Sequence, residues 1–458
     1  MVRSLASAAA ASLAAAAALL LTTASASAPT CGPNNPCPAD SPCCSQYGQC
    51  GVGAYCLGGC DPIFSHQLDS CVPAPVCDGS KFNIDNLNGV TDIAKYLGDA
   101  STANWVSSGS PLEYNGGVLL TLSQGSVGTL LASTHYVWYG KISAKLRTSQ
   151  GAGVVTAFIL MSDVKDEIDF EFIGTTLNQA QSNYYWQGVL DYENGGKHDT
   201  SNTFDNEHEY EIDWQPDTLT WSIDGKVVRT LKKSDTWNAT TGSFMYPQTP
   251  SRVQLSLWPA GLASNGKGTI EWAGGLINWS AGSPAMQNGY YYASVSSVDV
   301  TCYDPPSGAN KTGDKTYVYN ALAGTNNSIA ITDTSVILGS LQGTGEEPDK
   351  GKAKASGTAS APSSSSSTSV PESVPGVSGG GNSDPNASGS SDQGGAGAGN
   401  SSNGGSGGSG SSGTGFSQGG GASGASGNNS GAAVARPEGI VGGSVFALVA
   451  CVGAMLVL

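Results

Sequence analysis

Residues 166–172 read Asp-Glu-Ile-Asp-Phe-Glu-Phe. In an extended strand successive side chains alternate faces, so Glu167, Asp169 and Glu171 share one face and Ile168, Phe170 and Phe172 the other. Carboxyls packed this closely repel one another, and burial raises their pKa values further. Two carboxyls held in different protonation states can do covalent and acid/base chemistry. One attacks an electrophilic carbon; the other protonates the leaving oxygen and then deprotonates the incoming nucleophile. An ordinary half-solvated strand mixes Lys, Thr and Ser on its wet face, whereas this face carries acids only. Asp166, just ahead of the alternation, reads as a strand-edge acid.

The elements that must hold this strand are short alternating runs with Gly, Asn and Ser turns, such as 118–122, 140–146, 154–160, 210–214 and 220–223. Asp224-Gly225 between Trp221-Ser222-Ile223 and Lys226-Val227-Val228 predicts a two-residue hairpin. No twelve-residue segment keeps a helical apolar period. The fold class expected is all-β, a jelly-roll sandwich over residues 77–305.

Both ends of the 458-residue chain look processed. Residues 1–26 carry Arg3, an Ala/Leu run and Ala24-Ser25-Ala26, a secretory signal rather than a membrane anchor. Residues 431–458 end in an uncharged apolar stretch behind small residues and a polar spacer. That order predicts a GPI-attachment signal, with Asn429 or Ser430 as the attached residue and a single-pass helix as the competing reading. Residues 346–430 are a Gly/Ser-rich linker without core residues. The net charge of −16 argues against nucleic acid as a partner. With four His and no HExxH or paired CxxC, neither a metal nor another cofactor is expected. Sequons at Asn238, Asn278, Asn310, Asn326, Asn386, Asn400 and Asn428 fit a secreted glycoprotein.

Eleven cysteines suit an oxidising compartment. Eight of them crowd residues 31–71, inside a unit of 27–72 too small to fold without disulfides. Cys43-Cys44-Ser-Gln-Tyr-Gly-Gln-Cys50-Gly-Val-Gly-Ala-Tyr-Cys56 resembles the hevein-like chitin-binding module. The resemblance implies disulfides Cys31–Cys44, Cys37–Cys50, Cys43–Cys56 and Cys60–Cys71. It also implies that Ser45, Tyr47 and Tyr55 hold N-acetylglucosamine; Gln49 departs from the aromatic of the pattern, and a disulfide spacer without a ligand is the competing reading. Cys77 and Cys302 then remain and are expected to bond to each other across one domain.

Glu167-Ile168-Asp169-Phe170-Glu171 resembles the ExDxE signature of glycoside hydrolase family 16. Carried over by position, Glu167 is the nucleophile, Glu171 the acid/base, and Asp169 the acid that tunes both. Residues 181–185, 207–214, 257–261 and 268–275 narrow the resemblance to the Crh family of fungal cell-wall enzymes, with Pro259 a departure at the groove rim. That resemblance implies a retaining transglycosylase that cleaves chitin and joins it to β-glucan or chitin; the chain is expected to be a monomer at the cell wall or the GPI-anchored cell surface. Glu171, Gln254, Trp258 and Thr269 would contact the sugar. Thr269 and Glu271 are expected on a strand, with Trp272 in the core. Asn183, Tyr184 and Trp186 could line the cleft, and His208 is expected to be structural. A hydrolytic glucanase or chitinase on the same fold, and a non-catalytic wall lectin or adhesin, are the competing functions. Residues 306–345 form an extension of undefined role.

Overall fold

The computed structural model describes residues 28–280 and 282–353. The signal segment 1–26, the linker beyond 353 and the GPI segment with Asn429 lie outside the described residues. Two large sheets pack face to face. One has eight strands in the order 196–199, Gln179–Tyr185, Glu167–Ile173, Val154–Ser162, Ser251–Pro259, Thr129–Val137, Trp105–Ser108 and Val90–Asp92. The other has seven, ordered Lys226–Lys232, Thr218–Ile223, His208–Trp214, Gly140–Arg147, Tyr290–Cys302, Gly117–Ser123 and Leu112–Tyr114.

The sequence pattern explains which strand goes where. His208–Trp214 alternates buried with half-buried positions, as a strand with one wet face must. Val154–Ser162 and Glu167–Ile173 are buried at every position, because both of their faces are covered. Phe170 and Phe172 point inward and meet Tyr210 of the second sheet, with ring centroids 5.4 and 4.5 Å apart. Their burial fixes the register, and a one-residue slip would turn all three acids into this core. Asp224 and Gly225 make the expected tight turn with φ of 50° and 76°.

All five expected disulfides are formed, including Cys77–Cys302 at a sequence separation of 225. Three expectations need correction. Residues 267–272 form a short helix, not a strand. Asp166 is no edge acid; its environment is described below. The fold also runs past residue 345, since Ser340 Oγ donates to the Lys350 carbonyl at 2.6 Å and Gly339 N to the Pro348 carbonyl.

The extension has a defined place. Thr316–Tyr319 pairs with Ala74–Pro75, so the connection between the cysteine-rich module and the sandwich is itself a strand of a four-stranded sheet. Residues 343–346 then cross the module. Gly53 N donates to the Gly343 carbonyl at 2.8 Å, Gly345 N to the Ser70 carbonyl at 2.9 Å, and Ser70 Oγ to Glu346. The module is thereby strapped to the sandwich at both its edges.

Candidate active site

Glu167, Asp169 and Glu171 stand in a row on the outer face of the eight-stranded sheet, 2%, 1% and 5% exposed. Cross-strand pairing fixes their neighbours. Glu167 lies between Met161 and Tyr185, Asp169 between Ile159 and Asn183, and Glu171 between Ala157 and Gln181. Asn183 Nδ2 donates to the Tyr185 hydroxyl at 2.7 Å, joining the two polar neighbours. From the second sheet, the Trp221 indole N–H donates to the Asp169 carbonyl at 3.0 Å and pins the middle of the strand.

No N–H or hydroxyl among the described residues donates to Glu167 Oε1 or to either carboxylate oxygen of Asp169. The two carboxyls face each other, and a hydrogen bond between them requires a proton on one. Burial pushes Glu167 up to about 8; the Asp169 hydrogen bond pulls it down and the charge of Glu171 pushes it up. Burial and two neighbouring carboxylates hold Asp169 well above the carboxylate range, with Arg229 a smaller opposing influence. Asp169 therefore keeps the shared proton and Glu167 is the member of the pair that ionises first. The site has one carboxyl that ionises first, a proton held beside it and a further carboxyl two positions along the same face.

Gln254 and Trp258 share this outer face. Gln254 lies opposite Ile159, which in turn lies opposite Asp169, so the two are two strands apart in one row. Trp258 is 1% exposed, and its indole N–H has no acceptor among the described residues. Thr269 is half-buried on the short helix. That helix also carries Trp272, whose indole N–H donates to Gln181 Oε1 at 3.1 Å and whose ring stacks on Trp258 at 6.1 Å. Trp272 thus belongs to the cleft and not to the core: strand parity does not apply to a helix. Tyr184 turns inward, opposite Ile168, and its ring lies under Arg229. Trp186 falls past the strand end, bridged to Val189. His208 bonds Asp224 and Ser201, a structural arrangement.

Sequence reasoning missed Tyr185 and Gln181, although the two-residue period of their strand would have put both on the acid face. It also missed Asp166, which is fully buried and accepts from Gln187 N, Gln248 N, Thr249 N and the Thr249 hydroxyl at 2.7 to 3.1 Å. One carboxylate therefore ties the start of the acidic strand to two loops. Asp166→Ala leaves those donors unsatisfied and is expected to cost on the order of 4 kcal/mol in denaturant unfolding, with Asp166→Asn, which keeps one acceptor oxygen, costing less. An Ala variant as stable as the native protein would show that the hydrogen bonds contribute nothing net.

The three module residues are not open to solution in equal measure. Ser45 and Tyr55 are 3% and 2% exposed, and Tyr47 packs on the apolar cluster of Leu130, Ile159 and Trp258 beside the acids. Ser45 Oγ accepts from Gln49 N inside the module.

A jelly-roll sheet with paired carboxyls on its outer face is the arrangement of an enzyme of glycosidic bonds, and the profile "Glycosyl hydrolases family 16" matches residues 99–274. Crh-like protein 3 of Botryotinia fuckeliana is 54% identical over 332 residues, covering 72% of this chain and 74% of that protein. Crh-like protein 2 of Aspergillus fumigatus is 54% identical over 338 residues, covering 72% and 75%. The solved structure "Crh5 transglycosylase in complex with NAG" is 31% identical, covers 59% of this chain and 98% of its own, and superposes with a TM-score of 0.45. The chain belongs to the Crh-like proteins of glycosyl hydrolase family 16.

Proposed function

We propose that this chain is a retaining transglycosylase that cleaves chitin and transfers the new end to β-glucan or to chitin. Glu167 attacks the anomeric carbon while Glu171 protonates the departing oxygen. Glu171 then takes the proton of the acceptor hydroxyl as that oxygen displaces Glu167. Asp169, holding its proton, donates to Glu167 and steadies the charge that returns there when the glycosyl-enzyme resolves. Trp272, half-buried and backed by the buried Trp258, offers a face to a pyranose ring, and Gln254 and Thr269 are the polar groups for its substituents.

The observation that carries this reading is the row of three acids on one strand face, almost closed to solvent. Their burial favours transfer over hydrolysis, because a covalent intermediate shielded from water survives until a sugar hydroxyl reaches it. Chitin oligomers incubated with a labelled laminari-oligosaccharide test the reading: label moving into larger products means transfer. Shortened oligomers with unlabelled products mean that water resolves the intermediate, and the hydrolytic function then stands instead. The cell wall as location and a GPI anchor at Asn429 or Ser430 belong to the same proposal, checked by release of the native protein with a phosphatidylinositol-specific phospholipase.

A pH profile follows from the acids. Glu167 must be ionised to attack, so activity falls as pH drops through its pKa. Burial and the Glu171 charge raise that pKa, and the acid limb of kcat/KM is expected at least about one pH unit above the ordinary Glu value of about 4.3. An acid limb at or below that value would contradict a buried, coupled nucleophile.

A further inference from the structure

The cysteine-rich module is fixed over the same sheet face that carries the acids. Gly59 N–H donates to Asp163 Oδ1 at 2.9 Å and to the Tyr136 hydroxyl at 3.1 Å. The Gly58 backbone presses so closely on Arg252 that an added Cβ would lie 2.5 Å from the guanidinium. Lys165 pairs with Asp61 at 3.5 Å, and Leu57 packs with Tyr96, Ala103 and Val106 of the sandwich. With the strap at 343–346 and the paired strand Ala74–Pro75, this is a built joint, not a tethered lectin.

The joint places two module side chains in the groove. Gln46 Oε1 accepts from Gln254 Nε2 at 3.3 Å, and Tyr47 packs on the apolar floor that includes Leu130, Ile159 and Trp258. Ser45, Tyr47 and Tyr55 line a crevice whose far wall is Ser108, Leu130 and Ala132 of the sheet. A polysaccharide held by both Glu171 and Gln254 must cross the strands. On this side it has two strand spacings, about 10 Å, between the acids and Gln254 before it meets the module.

We propose that the module is the end wall of the substrate groove. Gln46 positions Gln254, and Gln46 and Tyr47 together limit how many sugar residues the groove accepts on that side; the module carries no separate chitin site. This deepens the transglycosylase reading and rests on it for the identity of the sugar.

The full-length protein, with Glu167→Gln to prevent turnover, is titrated calorimetrically with chitin oligomers. One site per chain is expected, lost with Trp272→Ala. A second site that survives Trp272→Ala and disappears with Tyr47→Ser overturns the proposal. On the active protein, rate against donor length is expected to plateau at short oligomers. Gln46→Ala should raise KM several-fold with kcat nearly unchanged and move the plateau to longer donors, while Gln46→Glu, which keeps the bulk of the wall, holds the plateau in place. An unchanged length profile in Gln46→Ala and Tyr47→Ser, both checked for native unfolding temperature, also overturns it. If the parent protein turns over no chitin oligomer at all, the transglycosylase reading fails while the stoichiometry still decides whether the module binds chitin by itself.

Discussion

Glu167→Gln is expected to abolish both transfer and hydrolysis, by at least about a thousandfold, in a protein that folds normally. The amide has the shape of the carboxyl but cannot form the glycosyl-enzyme, so neither sugar nor water has an intermediate to resolve. Stability should hold or rise, because a carboxyl that is 2% exposed and pushed up to about 8 is costly to ionise in place. Glu171→Gln should behave differently. Its loss should be large on chitin and much smaller on a donor with a good leaving group, which needs no proton. Glu167→Ala with azide extends the test: the small anion can attack from the vacated side and yield a glycosyl azide of inverted configuration. More than about a tenth of native turnover in Glu167→Gln would remove this residue from the nucleophile's role and leave a different carboxyl to be found.

The second large effect is expected at Cys77 and Cys302. Their bond closes 225 residues, and it joins the segment leaving the module to the end of the strand Tyr290–Cys302. The chain-entropy account of such a loop gives roughly 5 kcal/mol, the largest of any bond in this protein. Cys77→Ser with Cys302→Ser should lower the unfolding free energy by an amount of that order, with little change in denaturant slope. Activity below the new midpoint should be retained, since neither sulfur lies in the cleft. The four bonds inside the module close spans of only 11 to 13 residues and should each contribute less. A double variant within about 1 kcal/mol of native would mean that the packed sheets already restrict the unfolded ends.

What could be read in the sequence was mostly local. Two-residue alternation marks the acidic strand because Phe170 and Phe172 need a core and the acids do not. Gln254 and Trp258 came out on the acid face for the same reason. The pairing of Cys77 with Cys302 needed only counting once the module's pattern was recognised. The helix 267–272 was illegible: six residues make less than two turns, and Thr269-Ile270 is as β-branched as a strand. Asp166 was illegible because its partners lie up to 83 residues away. Gln46 was hidden still more deeply. Nothing around it distinguishes it from any surface glutamine, and only the docking of one folded unit on another brings it to Gln254.

Glu346 meets Ser70 across 276 residues of sequence. During synthesis the module emerges first, and at ordinary elongation rates roughly tens of seconds pass before its strap does. Its short-span disulfides can close in that interval, whereas its seat on the sheet cannot be completed. A nascent chain therefore shows Tyr47 and the floor of the groove to whatever folding assistants surround it, and a product truncated before residue 343 would keep showing them. Completion of the module's seat at the end of the groove is a timing signal: it reports that the chain has been made through its strap.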